Sequence, residues 1–294
     1  MNVAQSNGQR SAAEESGRPA VPELVVRGLT VRFAGLTALD EVDFTVAPGS
    51  LHALIGPNGA GKSTCFNVLS GVYRATAGSV RLGRSELTSL SPHRIAGLGV
   101  ARTFQNIALS QRLSIADNLM LGRHRLTRTG FVSAGLRLPH GRREERRHRE
   151  RVREIAEFVG IAEHLATPAG LLPYGVQKRV ELARALCLEP RLLLLDEPVA
   201  GMNGGERRQM AALLRQVRTG LGLSILLVEH DMDMVARLAD EVTVLDFGKR
   251  IAGGPPAQIQ RDPEVIRAYL GTGTGDPSLT PSPTTNHEQG GTQP

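Results

Sequence analysis

The sequence predicts an α/β fold: a mainly parallel sheet covered on both faces, with antiparallel β structure ahead of it and a helical segment set within it. Three observations lead there. Apolar runs at residues 51–55, 192–195 and 223–228 lack polar alternation, the pattern of strands buried on both sides. Between the last two, Met210, Leu213, Leu214 and Val217 recur at helical spacing. Strands that alternate with helices pair in parallel, because each helix carries the chain back across the sheet.

The elements follow in chain order. Residues 24–33 and 42–46 read as antiparallel strands, and Pro48-Gly49 as the turn into a third strand over 51–55. A glycine-rich loop comes next, then a helix over 62–72. Residues 106–169 carry helical patterning, with Val152, Ile155, Ala156 and Val159 on one face. Residues 242–246 and 250–252 read as a late hairpin turning through Phe247-Gly248. Residues 1–22 and the Gly/Pro/Thr-rich residues 271–294 lack periodicity and are expected to be disordered.

Composition bounds the function. A chain of 294 residues suits one large α/β domain or two small ones. No apolar run approaches the ~20 residues that span a bilayer, and Met1 to Pro22 lacks the apolar stretch of a secretory signal, so the chain is expected to stay in the cytoplasm. Cys65 and Cys187 are too few for a disulfide framework and read as buried, inert thiols. A net charge of +6 raises the question of nucleic acid, but of 35 basic residues only Lys62, Lys178 and Lys249 are lysine, a skew that reflects base composition. The densest basic stretch, 142–154, interleaves Glu144, Glu145, Glu150 and Glu154. That pattern fits a solvated helix with i,i+4 ion pairs better than a surface that tracks phosphates, and no nucleic-acid partner is expected.

The chemistry concentrates in two places. Gly56-Pro57-Asn58-Gly59-Ala60-Gly61-Lys62-Ser63, followed by Thr64, matches G-x-x-x-x-G-K-[ST] between an apolar strand and a helix. Glycines allow close backbone approach, so successive N–H groups can form an anion nest at a helix N-terminus. Lys62 would reach the β- and γ-phosphates of ATP, and the Ser63 hydroxyl would face Mg²⁺. The second place is the end of the 192–195 run, where Asp196 and Glu197 stand side by side. Asp196 could hold Mg²⁺, and Glu197, pointing to another side, could act as general base on the attacking water.

With Gln105, Tyr174-Gly175-Val176-Gln177 and His230 added in that order, the chain resembles an ABC transporter nucleotide-binding domain over residues 24–270. Within that superfamily it most resembles the branched-chain amino acid (LIV-type) importer ATPases. The stretches Ala101-Arg102-Thr103-Phe104-Gln105-Asn106 and Glu197-Pro198-Val199-Ala200-Gly201-Met202-Asn203, the end from Gly248-Lys249-Arg250 to Tyr269-Leu270-Gly271, and a long insert over 126–153 resemble the longer of the two ATPases in such systems.

That resemblance implies a P-loop NTPase (RecA-like) core with an antiparallel β subdomain and an inserted α-helical subdomain. The core would occupy 23–105 and 183–270, and the helical subdomain with the signature 106–182. It implies that Phe33 stacks on adenine, although an aromatic in a strand also serves as core. Gln105 would sense Mg²⁺ and the attacking water, and His230 would contact the γ-phosphate. Leu172-Pro173-Tyr174-Gly175-Val176-Gln177 would be the signature that caps the ATP of the opposite subunit, and Asn203 would lie in the D-loop. Pro173 departs from the common Leu-Ser-Gly-Gly-Gln pattern by lacking a hydroxyl and an N–H, which puts this signature's strength in doubt; its fixed φ would suit the first turn of a helix. The implied partners are integral membrane permeases at the cytoplasmic face of the membrane, a second ABC ATPase in a heterodimer, and, indirectly, an extracytoplasmic substrate-binding protein. An exporter of lipid or polysaccharide, and a soluble ABC ATPase acting on ribosomes or DNA, are the alternatives.

Overall fold

The computed structural model describes residues 21–103, 107–123, 126 and 139–270. Gln105, most of the 1–22 segment, residues 127–138 of the insert and the 271–294 tail lie outside them. Among the described residues two sheets form. The first is antiparallel and contains β1 (Leu24–Phe33), β2 (Leu36–Val46), β4 (Ala77–Leu82) and β5 (Ser85–Glu86) in the order β2-β1-β4-β5. The second contains β3 (Leu51–Ile55), β6 (Val100–Arg102), β7 (Leu192–Asp196), β8 (Ser224–Val228), β9 (Glu241–Asp246) and β10 (Lys249–Gly254), in the order β10-β9-β3-β8-β7-β6. All its pairings are parallel except the closing β9–β10 hairpin.

The helices are α1 (Lys62–Leu69), α2 (Pro92–Gly97), α3 (Ile115–Arg123), α4 (Pro139–Phe158), α5 (Tyr174–Leu186), α6 (Gly204–Leu221), α7 (Met232–Leu238), α8 (Pro256–Ile259) and α9 (Pro263–Leu270). Alternate residues of the leucine strand serve different cores. Leu193 and Leu195 join Ile225 and Leu227 in a cluster with residues of α3 to α6. Leu192 and Leu194 join Leu226, Val228 and Leu54 in a second cluster with α1 and the antiparallel sheet. Burial of a Leu contributes roughly 1.5–3 kcal/mol, so a strand covered on both faces gains at every residue and needs no polar alternation.

Three boundaries differ from expectation. β2 begins at Leu36 rather than 42, because Ala34 and Gly35, with φ of 41° and 94°, make a tight hairpin turn that pairs Phe33 with Leu36. The helix after the glycine-rich loop stops at Leu69 rather than 72, where the Ser70 hydroxyl donates to the Phe66 carbonyl oxygen at 2.7 Å. Pro173 lies one residue before α5 with ψ of 149°, not inside its first turn. The basic helix α4 is laced as expected by Arg149–Glu145 (2.7 Å), Arg153–Glu157 (3.1 Å) and Arg146–Glu150 (3.7 Å). Val152, Ile155 and Ala156 on its other face, and Val159 just beyond it, are buried. Cys65 and Cys187 are buried free thiols, each pushed up to about 12 by burial. No helix among the described residues is long and apolar enough to cross a membrane.

Candidate active site

Strands β3, β8 and β7 are neighbours, and because they run parallel their C-terminal ends open on the same edge of the sheet. In such sheets ligands bind at that edge. The residue after each strand is therefore placed by topology. Gly56 follows β3, Asp196 closes β7 with Glu197 next, and His230 comes two residues after β8.

Gly56 to Ser63 wrap from β3 into α1. Gly56 has φ of 147°, and a Cβ there would collide with the Leu245 carbonyl oxygen, so only glycine fits. Gly61, at the N-cap of α1 with φ of 102°, lies where a Cβ would come within 2.7 Å of Ala38 and Leu39. The Lys62 ammonium turns back into this loop and donates to the carbonyl oxygens of Gly56 (2.6 Å) and Pro57 (2.9 Å). Burial holds its pKa below the ordinary lysine value, opposed by the carboxylates of Glu197 and Asp196. Asn58, Gly59 and Ser63 are exposed, Thr64 is half-buried, and Ala60 is buried. The loop thus presents backbone N–H groups and a hydroxyl around one buried cation, an arrangement suited to a polyphosphate.

Asp196 and Glu197 are adjacent in sequence but make different contacts. Asp196 is buried, and burial raises its pKa against the pull of the Arg102 guanidinium, which donates to Oδ2 at 3.0 Å. Glu197 has φ of 47°, a left-handed conformation that costs a non-glycine residue of order 1 kcal/mol or more. Its N–H donates to the Val228 carbonyl oxygen at 2.9 Å, which holds the kink against β8. From this kink the Glu197 carboxylate comes near His230, whose Nδ1 lies 4.0 Å from Glu197 Oε1. The His230 ring is mostly exposed.

Phe33, at the end of β1, is 41% exposed and meets Tyr73 edge-on at 5.2 Å between ring centroids. Its exposure argues against a core role. The signature residues are placed elsewhere from the phosphate loop. Pro173 and Tyr174 are exposed, Gly175 is buried, and Val176 and Gln177 are half-buried at the start of α5. The Tyr174 ring lies against Gly201, and Gly175 against the Glu206 side chain. Gln177 donates to the Leu172 carbonyl oxygen at 2.8 Å. Asn203 caps α6 through a reciprocal capping box with Glu206.

Sequence reasoning missed two groups at this edge. Glu229, fully buried, accepts from the N–H groups of Val199 (3.3 Å) and His230 (3.2 Å), and burial raises its pKa. It ties the loop after Glu197 to the end of β8, and its signal was a carboxylate closing an apolar strand, as at Asp196. Tyr73, which braces Phe33, sits 40 residues away in sequence and gave no signal.

A sheet edge with a glycine loop of the phosphate-binding type after one strand and a carboxylate pair at the end of the next strand but one defines a P-loop nucleoside triphosphatase. The chain belongs to the ABC transporter family: that family's model matches residues 39–200, and a family described as branched-chain amino acid ATP-binding cassette transporter matches 249–274. Among curated relatives, the high-affinity branched-chain amino acid transport ATP-binding protein BraF of Pseudomonas aeruginosa is 42% identical over 250 residues, 85% of this chain and 98% of its own. LivG of Escherichia coli K12, of the same description, is 40% identical with the same coverage. Among solved structures, the ADP conformation of MJ1267, an ATP-binding cassette of an ABC transporter, superposes with a TM-score of 0.75 at 29% identity, over 85% of this chain and 99% of that one. A nucleotide-free ATP-binding cassette gives 0.74 at 28% identity, over 84% and 98%.

Proposed function

We propose that this chain is the ATP-hydrolysing subunit of an ABC importer for branched-chain or related amino acids, working on separate membrane permeases. The observation that carries the reading is the convergence of the Lys62 loop, Asp196, Glu197 and His230 at one sheet edge in a chain 42% identical to BraF along nearly the whole of that relative. The family supplies ATP binding and hydrolysis.

The residues fit ATP with Mg²⁺. Asn58, Gly59, Ala60, Gly61, Ser63 and Thr64 would cradle the phosphates with backbone N–H groups, Gly56 and Pro57 would shape the start of the loop, and Lys62 would exchange its carbonyl partners for phosphate oxygens. Ser63 and Asp196, with Gln105, would hold Mg²⁺, which when bound neutralises charge on the transferring phosphoryl group. Glu197 would take a proton from the attacking water, and His230 would face the γ-phosphate. Phe33 would stack on adenine from its exposed position beside Tyr73. Pro173, Tyr174, Gly175, Val176 and Gln177 would cap an ATP held by a second ATPase at the cytoplasmic face of the membrane. In a head-to-tail pair they would face the phosphate loop of the partner. The substrate-binding protein would act only through the permeases.

The test is complementation. In cells lacking the native ATPase of a branched-chain amino acid importer, expression of this chain should restore ATP-dependent leucine uptake, and the Lys62→Ala variant should not. Copurification with nucleic acid instead of permeases would contradict the reading.

A further inference from the structure

We propose that Arg102 is a positioning residue for Asp196: its guanidinium holds one carboxylate oxygen so that the other faces the divalent cation of the bound nucleotide. This rests on the reading of Asp196 as a metal-holding residue. Arg102 ends the edge strand β6, beside β7. Its Nη2 donates to Asp196 Oδ2 at 3.0 Å. Its Nη1 donates to Asn67 Oδ1 at 2.7 Å and Ser70 Oγ at 2.9 Å, at the far end of α1. The guanidinium lies 5.6 Å from the centroid of the Phe66 ring. The side chains of Arg102 and Asp196 are only 12% and 6% exposed.

One planar fork thus ties three elements together. The helix it grips is the one that begins with Lys62 and Ser63, so Arg102 sets the Asp196 carboxylate in register with the Ser63 hydroxyl. A lysine at this position could reach Asp196 or the end of α1 but not hold both at once, because it lacks the rigid fork. Without Arg102 the nearest attracting cation is Lys62, toward which the carboxylate would turn, away from the metal position and onto the phosphate-binding ammonium. Groups that orient a metal ligand in this way affect metal affinity by roughly 10- to 100-fold.

The test measures binding of a fluorescent ATP analogue to the full chain, once in EDTA and once across a Mg²⁺ titration, for wild type, Arg102→Met, Arg102→Lys and Asp196→Asn. Arg102→Met should keep the EDTA affinity within about twofold and raise the Mg²⁺ midpoint about tenfold, with Arg102→Lys between it and wild type. An unchanged or lowered midpoint in Arg102→Met overturns the proposal, as does an equal loss of affinity in EDTA, which would mark a purely structural residue. Should Arg102→Met fail to fold, an unshifted midpoint in Arg102→Lys overturns it. If Asp196→Asn also leaves the midpoint in place, the metal role of Asp196 fails. If Asp196→Asn shifts it and the Arg102 variants do not, only the role of Arg102 fails.

Discussion

At the scale of single residues, the site combines one buried cation with two carboxylates of different environment. Lys62 is satisfied by two loop carbonyls, so binding a triphosphate exchanges neutral acceptors for charged ones. Hydrogen bonds to charged groups contribute about 1.5–3 kcal/mol, and Lys62→Ala should therefore weaken ATP-analogue binding by roughly tenfold to a hundredfold. Gly56→Ala should fail for a different reason. Its Cβ would strike the Leu245 carbonyl oxygen, so the loop must shift, and a fall in thermal stability should accompany the lost binding. Lys62 and the glycines were legible in the sequence because their spacing is a linear motif. Tyr73 was not, since its contact with Phe33 forms only in the folded chain, and Glu229 left only the signal of a carboxylate closing an apolar strand, its partners Val199 and His230 being set by the fold. The left-handed backbone of Glu197 also has no sequence signature.

Among the elements, those read correctly from sequence are the ones buried on both faces or strongly periodic. β3, β7 and β8 were found within a residue at each end, and the buried face of α6 was found except for Ala211. β4 and β6 were missed: Ala77–Leu82 opens on small residues, and Val100–Arg102 is too short to show a period. The packing between the sheets carries a pH dependence. His52 on β3 is buried, stacks on Phe44 at 5.5 Å and shares a 2.9 Å hydrogen bond with Thr243 on β9. Burial, aided by Arg250, lowers its pKa from 6.5 to about 4. The unfolded chain therefore takes up this proton near pH 6.5 and the folded chain only near pH 4, so stability falls as pH drops through that window. Between pH 7 and pH 5 the loss from His52 should be about 2 kcal/mol. Urea midpoints at the two pH values should show it, and His52→Gln should remove most of the difference.

For the whole molecule, the two surfaces proposed to face ATP lie on different elements of one chain: the glycine loop after β3 and the Pro173–Gln177 segment at the start of α5, against Gly201 and Glu206. On the proposed reading, such a chain would complete a site only with a second ATPase. Pro173, exposed and outside the first turn of α5, offers neither hydroxyl nor N–H, so the signature relies on the backbone from Tyr174 onward. A partner with its own signature would cap this chain's nucleotide, and ATPase activity of the purified chain should be low alone and rise when the second ATPase and the permeases are added. Full cooperative hydrolysis by this chain alone would contradict a required heterodimer. The central claim, that ATP hydrolysis is driven from this sheet edge, is tested most directly by measuring phosphate release and ATP-analogue binding in parallel for wild type and Glu197→Gln in the assembled complex. The account predicts unchanged binding with turnover at this chain's site lowered by roughly 10² or more. Normal turnover in that variant would contradict it.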